Sequence, residues 1–553
     1  MVLDLGPLIG AIDQGTSSSR FLVFAANSGE LITYHQVEIR NICVEEEWVE
    51  QDPNEIINSV VETIEKAVEK LHLLGIDVNS IKAIGLCNQR ETTVVWDRET
   101  GKALHNAIVW LDNRTKSIVD SILDRIPDRN INIFKYKTGL PISTYFSALK
   151  LKWLFENVEI VERKCKEGKL MFGTVDSWVL WNLTKNHLID VSNASRTFLM
   201  DIESLQWDEE LCDFFQVPMS ILPKIVPSSG EFGVIQEGAL HGIPITGVIG
   251  DQSAALIGQH CLNVGQTKAT YGTGCFIMQN IGSGSVKTLL KGLSNEAINS
   301  LITTIAFKLG EKPAVYALEG SIAIAGAAVT WMRDNLELVK SYDQVESLAK
   351  QVPDAGGVYF VPAFQGLYAP YWDPNASALF IGLSQFTHKS HLMRATLEST
   401  AYETADILSL MRASEAGIKV DGGMSCNDLF CQILADINGV DVIRPLMIEA
   451  TALGAAMLAG YAIGIWDLES KAMHSSELEK HEEAKNGFNE FPRMPLIIDD
   501  ILKDDLISLS NSKQPEPPKE ADIFKPSISE QKREEMIARW KLAVKRSMRW
   551  TKI

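Results

Sequence analysis

The chain has 553 residues, 46% of them apolar and 22% charged, which suits a globular protein of two or more large domains and excludes a disordered one. Its 71 acidic residues outnumber the 52 basic ones, and a formal charge of −19 repels phosphate backbones and anionic lipid, so nucleic acid and membrane surfaces are excluded as partners. No apolar stretch is long enough to span a bilayer, Ile322 to Val329 being far too short, and the eight cysteines show no CxxC pair, which points to free thiols in a reducing cytoplasm.

In chain order, Leu8 to Ile12 is an apolar run that meets the polar turn Asp13-Gln14-Gly15-Thr16-Ser17-Ser18-Ser19-Arg20, and Phe21 to Phe24 resumes it, the pattern of a β-hairpin. Pro53 to Leu74 has helical periodicity, while Ile81 to Leu86 and Thr93 to Trp96 read as strands. A second hairpin is predicted where Gln266 to Tyr271 enters Gly272-Thr273-Gly274 and leaves as Cys275 to Met278. Two alike hairpins among alternating strands and helices predict an α/β chain with one fold used twice. Its boundary is expected near Gly258, giving domains 1–257 and 258–469. Cys426 and Cys431 fall in what reads as a single helix. Residues 470–522, with Pro515-Glu516-Pro517-Pro518, are too polar to pack well and read as a flexible insertion. Ser529 to Trp550 regains helical periodicity with basic residues in its last turns, so 523–553 is expected to be a docked C-terminal helix.

Gly-Thr-Ser-Ser-Ser after an apolar strand offers backbone N–H groups and hydroxyls with little bulk, as a phosphate cradle needs, and Asp13 at the strand end offers a hard oxygen to Mg²⁺. The second loop, Thr270 to Gly274, would let two hairpins clamp a polyphosphate. No GxxxxGK[ST] motif occurs, and the protein-kinase motifs are missing as well, so an ATP site must be of another type. Gly250-Asp251-Gln252-Ser253 places a carboxylate between a strand and a helix. There it can act as a base toward an attacking hydroxyl, or simply cap the helix.

Two longer segments, Tyr145-Phe146-Ser147-Ala148-Leu149-Lys150-Leu151-Lys152-Trp153-Leu154-Phe155-Glu156-Asn157 and Ala378 to Leu383 continuing through His391 to Glu398, resemble the two signatures of the FGGY sugar and polyol kinases of the actin-like ATPase superfamily. The resemblance spans about Leu8 to Asp467 and returns at the C-terminal helix. It is strongest to the members that phosphorylate glycerol, through Asn88 to Thr93, Trp110, Gly173 to Trp178, Asn193 to Thr197 and Tyr271 to Phe276.

This resemblance implies two ribonuclease-H-like α/β domains around a central cleft, and transfer from ATP with Mg²⁺ to glycerol. It assigns Arg90, Glu91, Tyr145, Asp251 and Gln252 to the glycerol hydroxyls, with Trp110 and Phe276 as an apolar wall. Arg90 is then the cationic neighbour of Glu91, and Asp251 the general base. Thr16, Ser17, Ser18, Arg20 and Thr273 would hold phosphates and Asp13 the metal. Gly326, Gly423 and Asn427 would line the nucleotide, the glycines because it passes too close for a Cβ. Thr451 to Ala456 resembles an interdomain helix whose small residues allow close approach.

Thr330, Ser377-Ala378 and a shortened approach to Asp421 depart from the family pattern on the nucleotide side, and the loop that carries sugar-bisphosphate control in bacterial relatives has no counterpart around Glu237 to Ile243. A homo-oligomer, dimer or tetramer, is implied. So is a cytoplasmic enzyme, since no apolar tail precedes Ile553.

Overall fold

The computed structural model describes residues 5–550 apart from 365, 374, 413–416, 446, 448 and 469–520. The first hairpin is longer than the apolar pattern suggests. Strand β1 runs Leu8–Gln14 and β2 runs Ser18–Ala25, so Asp13 lies inside the ladder opposite Arg20, and a Gly15 N–H to Ser18 carbonyl bond of 2.9 Å closes the turn. Strand β3 (Leu31–Glu38) follows, then helix α1 (Pro53–Leu73). Asp52 caps α1 by accepting from the Asn54 N–H, Pro53 occupies its first turn, and Ile56, Val60, Ile64, Ala67 and Leu71 make the stripe that buries against the sheet. After β4 (Ile81–Asn88) come α2 (Ser147–Asn157), α3 (Val175–Thr184), β5 (Ser229–Val234), β6 (Pro244–Gly250) and α4 (Asp251–Gly258).

The second hairpin is β7 (Thr267–Tyr271) and β8 (Cys275–Ser283), followed by β9 (Ile302–Phe307), β10 (Val315–Ile322), α5 (Gly326–Asp334) and α6 (Lys389–Leu408). Then come β11 (Ile418–Asp421), α7 (Asp428–Asn438), β12 (Val442–Pro445), α8 (Ala450–Ala462), β13 (Ala521–Phe524) and α9 (Glu530–Ser547).

Two sheets form, with orders β5-β6-β4-β1-β2-β3 and β9-β10-β8-β7-β11-β12-β13. Within them β3-β2-β1-β4-β6 and β10-β8-β7-β11-β12 share one pattern. Three strands run antiparallel, and two more lie parallel to the third. The duplicated fold expected from the two hairpins is therefore present, one hairpin in each sheet, as is the ribonuclease-H-like pair of domains that the resemblance implies.

Two details differ from the sequence reading. Ala521 and Asp522, assigned to the insertion, pair with Pro445 and Arg444 as the edge of the second sheet; the rest of that insertion lies outside the described residues. Cys426 ends a short 3₁₀ turn (Gly423–Cys426) while Cys431 lies in α7, because Asn427 caps the new helix between them. All eight cysteines are free thiols. The C-terminal helix packs on the second half through Trp540, which is fully buried, stacks on Tyr402 with ring centroids 5.3 Å apart, and donates to Asp406 at 2.6 Å.

Helix α8 is buried around nearly its whole circumference and packs on α4 and on β1, β4 and β6, although it follows the second sheet in sequence. Glycines bring the backbones together. A Cβ at Gly85 would stand 2.1 Å from the Ala455 carbonyl oxygen, one at Gly258 2.0 Å from that of Ala450, and one at Gly454 1.9 Å from that of Ala254. No side chain fits such gaps, so substitution must push α8 away. Gly454→Ala should cost about 1–3 kcal/mol as overpacking and lower the thermal midpoint by several degrees. Gly230→Ala, where a Cβ meets nothing within 4 Å, should leave it unchanged. Equal midpoints in differential scanning fluorimetry would show that α8 can shift freely.

Candidate functional site

Strands β4 and β6 are parallel neighbours, and their C-terminal ends deliver Arg90 and Asp251 side by side. Asp251 opens α4 but does not cap it. Gly250 holds the cap position, and the Asp251 carboxylate accepts only the Gln252 N–H, at 2.6 Å. Gly250 is also the residue that lets Arg90 through, since a Cβ there would lie 2.8 Å from the Arg90 Cγ and Cδ. The helix-cap reading of Asp251 is thus replaced by a carboxylate facing a guanidinium, with Arg90 Nε 3.4 Å from Asp251 Oδ1.

Arg90 and Glu91 do not pair with each other, as the sequence reading assumed. The chain turns between them, Glu91 adopting φ 58°, and the two side chains separate. Arg90 Nη1 donates to Glu319 Oε2 at 2.6 Å and Nη2 to Oε1 at 3.1 Å. Glu91 instead accepts from Arg196 Nε, and Arg196 Nη2 donates to Glu319 Oε1 at 3.1 Å. The result is a chain of alternating charges, Asp251, Arg90, Glu319, Arg196 and Glu91. Only its first member opens to solvent: the Asp251 side chain keeps 24% exposure, against 2% for Arg90 and none for Glu319.

The environment tunes these groups. Burial raises the Asp251 carboxyl to about 6, with Glu91 adding to the rise and Arg90 and Lys268 opposing it. For Glu319 burial also acts upward, but the guanidiniums of Arg196 and Arg90 more than reverse it and hold the carboxyl at about 2. Lys268 is fully buried, which depresses its ammonium, and it donates to Gln252 Oε1 at 2.5 Å and Thr270 Oγ1 at 2.9 Å.

Aromatic rings cover this polar floor. Trp110 stands edge-on to Tyr145 and to Phe276, with centroids 5.7 and 5.8 Å apart, and the Arg90 guanidinium lies 5.7 Å from the Phe276 ring centre. Trp110 Nε1 donates to Thr16 Oγ1 at 2.9 Å, which ties the wall to the first hairpin turn. The seven residues assigned to a polyol therefore occur together, joined to the first loop by Thr16. A separate cavity of about 490 Å³, lined by Tyr359, Arg394, Tyr402 and Arg539 among others, shares none of them.

The residues assigned to phosphates and nucleotide sit differently. Ser17 is exposed and Ser18 half-buried at the first turn, and Thr273 is exposed at the second. Arg20 does not hang free: it is paired with Glu449 and lies 3.7 Å from Asp13, whose Oδ2 accepts from Thr451 Oγ1 at 2.7 Å. Gly326 is required by the protein itself, because a Cβ would stand 2.6 Å from the Gly272 carbonyl oxygen. The α5 N-terminus thereby fastens the second loop, with the N–H groups of Ala325 and Ala327 donating to the Thr273 carbonyl. A Cβ on Gly423 would meet open space. Asn427 caps α7 through its carbonyl oxygen, accepting from Phe430 N–H at 3.0 Å. No contact joins Gly423 or Asn427 to the Asp251 cluster among the described residues.

Sequence reasoning missed Glu319, Arg196 and Lys268 as parts of this cluster. Arg196 lay in a recognised segment but carried no role. The signal for the other two was a lone charge in an otherwise apolar or uncharged strand, Val-Tyr-Ala-Leu-Glu-Gly and Thr-Lys-Ala-Thr-Tyr.

As to a metal, no group of three or more His, Cys, Asp or Glu side chains suited to an ion occurs among the described residues. Asp13 with the hydroxyls of the first turn is a hard-oxygen set, which fits Mg²⁺ held by one carboxylate, waters and substrate phosphates.

Residues 8–258 match the N-terminal domain, and residues 267–463 the C-terminal domain, of the FGGY family of carbohydrate kinases. A probable glycerol kinase of Caenorhabditis elegans is 46% identical over 486 residues, covering 87% of this chain and 95% of its own. A glycerol kinase of Roseiflexus is 46% identical over 467 residues, covering 83% and 90%. The crystal structure of Plasmodium falciparum glycerol kinase with ADP superposes with a TM-score of 0.80 at 33% identity, over 98% of both chains. A gluconate kinase of Lactobacillus acidophilus, with a TM-score of 0.75 at 21% identity, shares the fold alone. Both domains, their order and their coverage agree: the chain belongs to the FGGY family of carbohydrate kinases.

Proposed function

We propose that the chain phosphorylates glycerol to sn-glycerol 3-phosphate with ATP, by in-line transfer with Asp251 as general base. The observation that carries this reading is the solvent-facing Asp251 carboxylate beside Arg90, at the open end of a buried chain of charges and beneath the Trp110, Tyr145 and Phe276 rings. Relatives 46% identical along most of their length and named glycerol kinases support the substrate. Kinases of gluconate and of xylulose resemble this chain at 21% identity, a likeness of fold that says nothing of substrate.

Glycerol offers three hydroxyls on a short carbon chain. Arg90 donates, the Glu91 and Asp251 carboxylates accept, Gln252 does either, and the rings cover the C–H face, so one orientation satisfies all three. The Arg90 Nη atoms each spend a proton on Glu319, which leaves Nε and the remaining Nη protons for the substrate. Lys268 fixes the Gln252 amide by donating to its oxygen, so its nitrogen faces outward as a donor. Asp251, with a carboxyl at about 6, is mostly ionised at pH 7 and can take the proton of the attacking hydroxyl. The hydroxyls and N–H groups of Thr16 to Ser18 and of Thr273 hold the transferring phosphoryl group from both sheets. Asp13 would hold Mg²⁺, which when bound would neutralise phosphate charge. The cytoplasm suits such an enzyme, whose eight cysteines are all thiols.

Coupled ADP release with glycerol, beside xylulose and gluconate, tests the reading: turnover should be confined to glycerol. Asp251→Asn keeps size and hydrogen-bonding atoms but cannot accept the proton, so kcat should fall by about 10²–10⁴ with the thermal midpoint unchanged. A kcat within a few-fold of the parent would remove Asp251 from the mechanism.

The pH profile gives an independent check. Catalysis needs the ionised form and the pKa is raised, so activity is complete well above pH 6 and lost as pH falls through it. Log kcat/KM should descend with unit slope below about pH 6, and Asp251→Asn should abolish that limb. A limb unmoved in the variant would assign it to another group.

A further inference from the structure

The residues assigned to the substrate hydroxyls come from the first half of the chain, yet the group that holds the guanidinium comes from the second. Glu319 is the fifth of the eight residues of β10, in register with Met278 of β8 and Ile302 of the edge strand β9. Its side chain is fully buried, and both oxygens are spent on guanidiniums reaching across from the other half, Arg90 from the end of β4 and Arg196 from the segment after Asn193. It has no exposed surface with which to meet a substrate. Arg196 carries the same hold on to Glu91, its guanidinium 5.5 Å from the Tyr145 ring centre and 5.4 Å from that of Phe146.

We infer that Glu319 is the positioning residue of the polyol site, a carboxylate of the second sheet that sets Arg90 directly and Glu91 through Arg196, so that glycerol affinity depends on how the two halves meet. This rests on the glycerol reading above. Two features separate it from ordinary packing. A bidentate contact fixes the plane of the Arg90 guanidinium, and with it the direction of the Nε proton. One carboxylate also serves both cations, so neither can swing toward the cleft without leaving a buried carboxylate oxygen unpartnered. Nearby hydrogen bonds between the halves are neutral or involve one cation, such as Ser195 Oγ with Thr304 Oγ1 at 3.0 Å and Lys268 Nζ to Gln252 Oε1 at 2.5 Å, and neither of these touches Arg90.

The test uses the full chain with Glu319→Gln and Glu319→Asp. Glutamine keeps the shape but offers one acceptor and no charge. Aspartate keeps the charge but withdraws it by one methylene, and serves also if the glutamine variant does not fold. Glycerol dissociation constants are measured by calorimetry without nucleotide, ADP constants without glycerol, and amide exchange over residues 88–92 without either. We expect glycerol binding to weaken about 10- to 100-fold in Glu319→Gln and less in Glu319→Asp, ADP binding to stay within threefold, and exchange at 88–92 to rise in the same order. Glycerol constants within threefold of the parent in a folded variant, or equal losses for glycerol and ADP, would overturn the inference. If the parent itself neither binds nor phosphorylates glycerol, the glycerol reading fails. The exchange at 88–92 then decides whether Glu319 positions Arg90, an unchanged pattern overturning that as well.

Discussion

Everything at the cleft depends on one buried sequence of charges: Asp251, Arg90, Glu319, Arg196, Glu91. Taking five ions from water is costly, and alternation is the arrangement that recovers most of that cost, because each interior member lies between two of opposite sign. Arginine is the cation that can do this, since its planar fork reaches two carboxylates at once, whereas a lysine would bring one point charge. Arg196 shows the limit. Its Nη1 has no hydrogen-bond acceptor, and the guanidinium is instead flanked by the rings of Tyr145 and Phe146. Such an assembly is weak evidence for stability. It is better understood as a device that admits one geometry, because a displaced member leaves an unpaired buried charge.

That geometry needs a rigid frame between the sheets, and α8 supplies it. The helix is apolar on every side because it is covered on every side, by α4 and by the first sheet, and its glycine and alanine positions match glycines on its neighbours. At its start Glu449 pairs with Arg20 while Thr451 reaches Asp13, so the same element that packs the two halves also orients the first phosphate turn.

The two hairpins, the duplicated fold and the residues that cluster about Asp251 were legible because each leaves a local trace: a polar turn in an apolar run, a lone Asp at a strand end, a motif in family order. The pairing of those residues was not. Arg90 and Glu91 are neighbours in sequence, and proximity suggested a pair. A left-handed backbone at Glu91 and partners more than 100 residues away decided otherwise. Glu319 was invisible for a related reason. A single glutamate in an apolar strand shows that some cation must meet it, but which cation depends on how two sheets face each other, and no local pattern encodes that. The strand Ala521–Phe524 was lost to composition, since four residues beside a long polar segment carry too little periodicity to stand out.

The two sides of the site are built on different principles, and this bears on the departures from the family pattern. The substrate side uses charged side chains fixed by one another. The nucleotide side uses backbone and space: Gly326 is small because the Gly272 carbonyl needs the room, whereas Gly423 is small where no protein atom comes near, the condition for a ligand to lie against the chain. Thr330, one turn beyond Gly326, spends its hydroxyl on the Gly326 carbonyl at 3.1 Å and on the Tyr342 hydroxyl at 2.8 Å. A longer polar residue there could instead extend over the cleft. Ser377 likewise is anchored by its N–H, which donates to the Ser547 carbonyl at the end of α9 at 3.0 Å. Thr330 thus spends its side chain within the second half, the Ser377 bond is one of the backbone alone, and neither residue touches the charge sequence that holds the acceptor side.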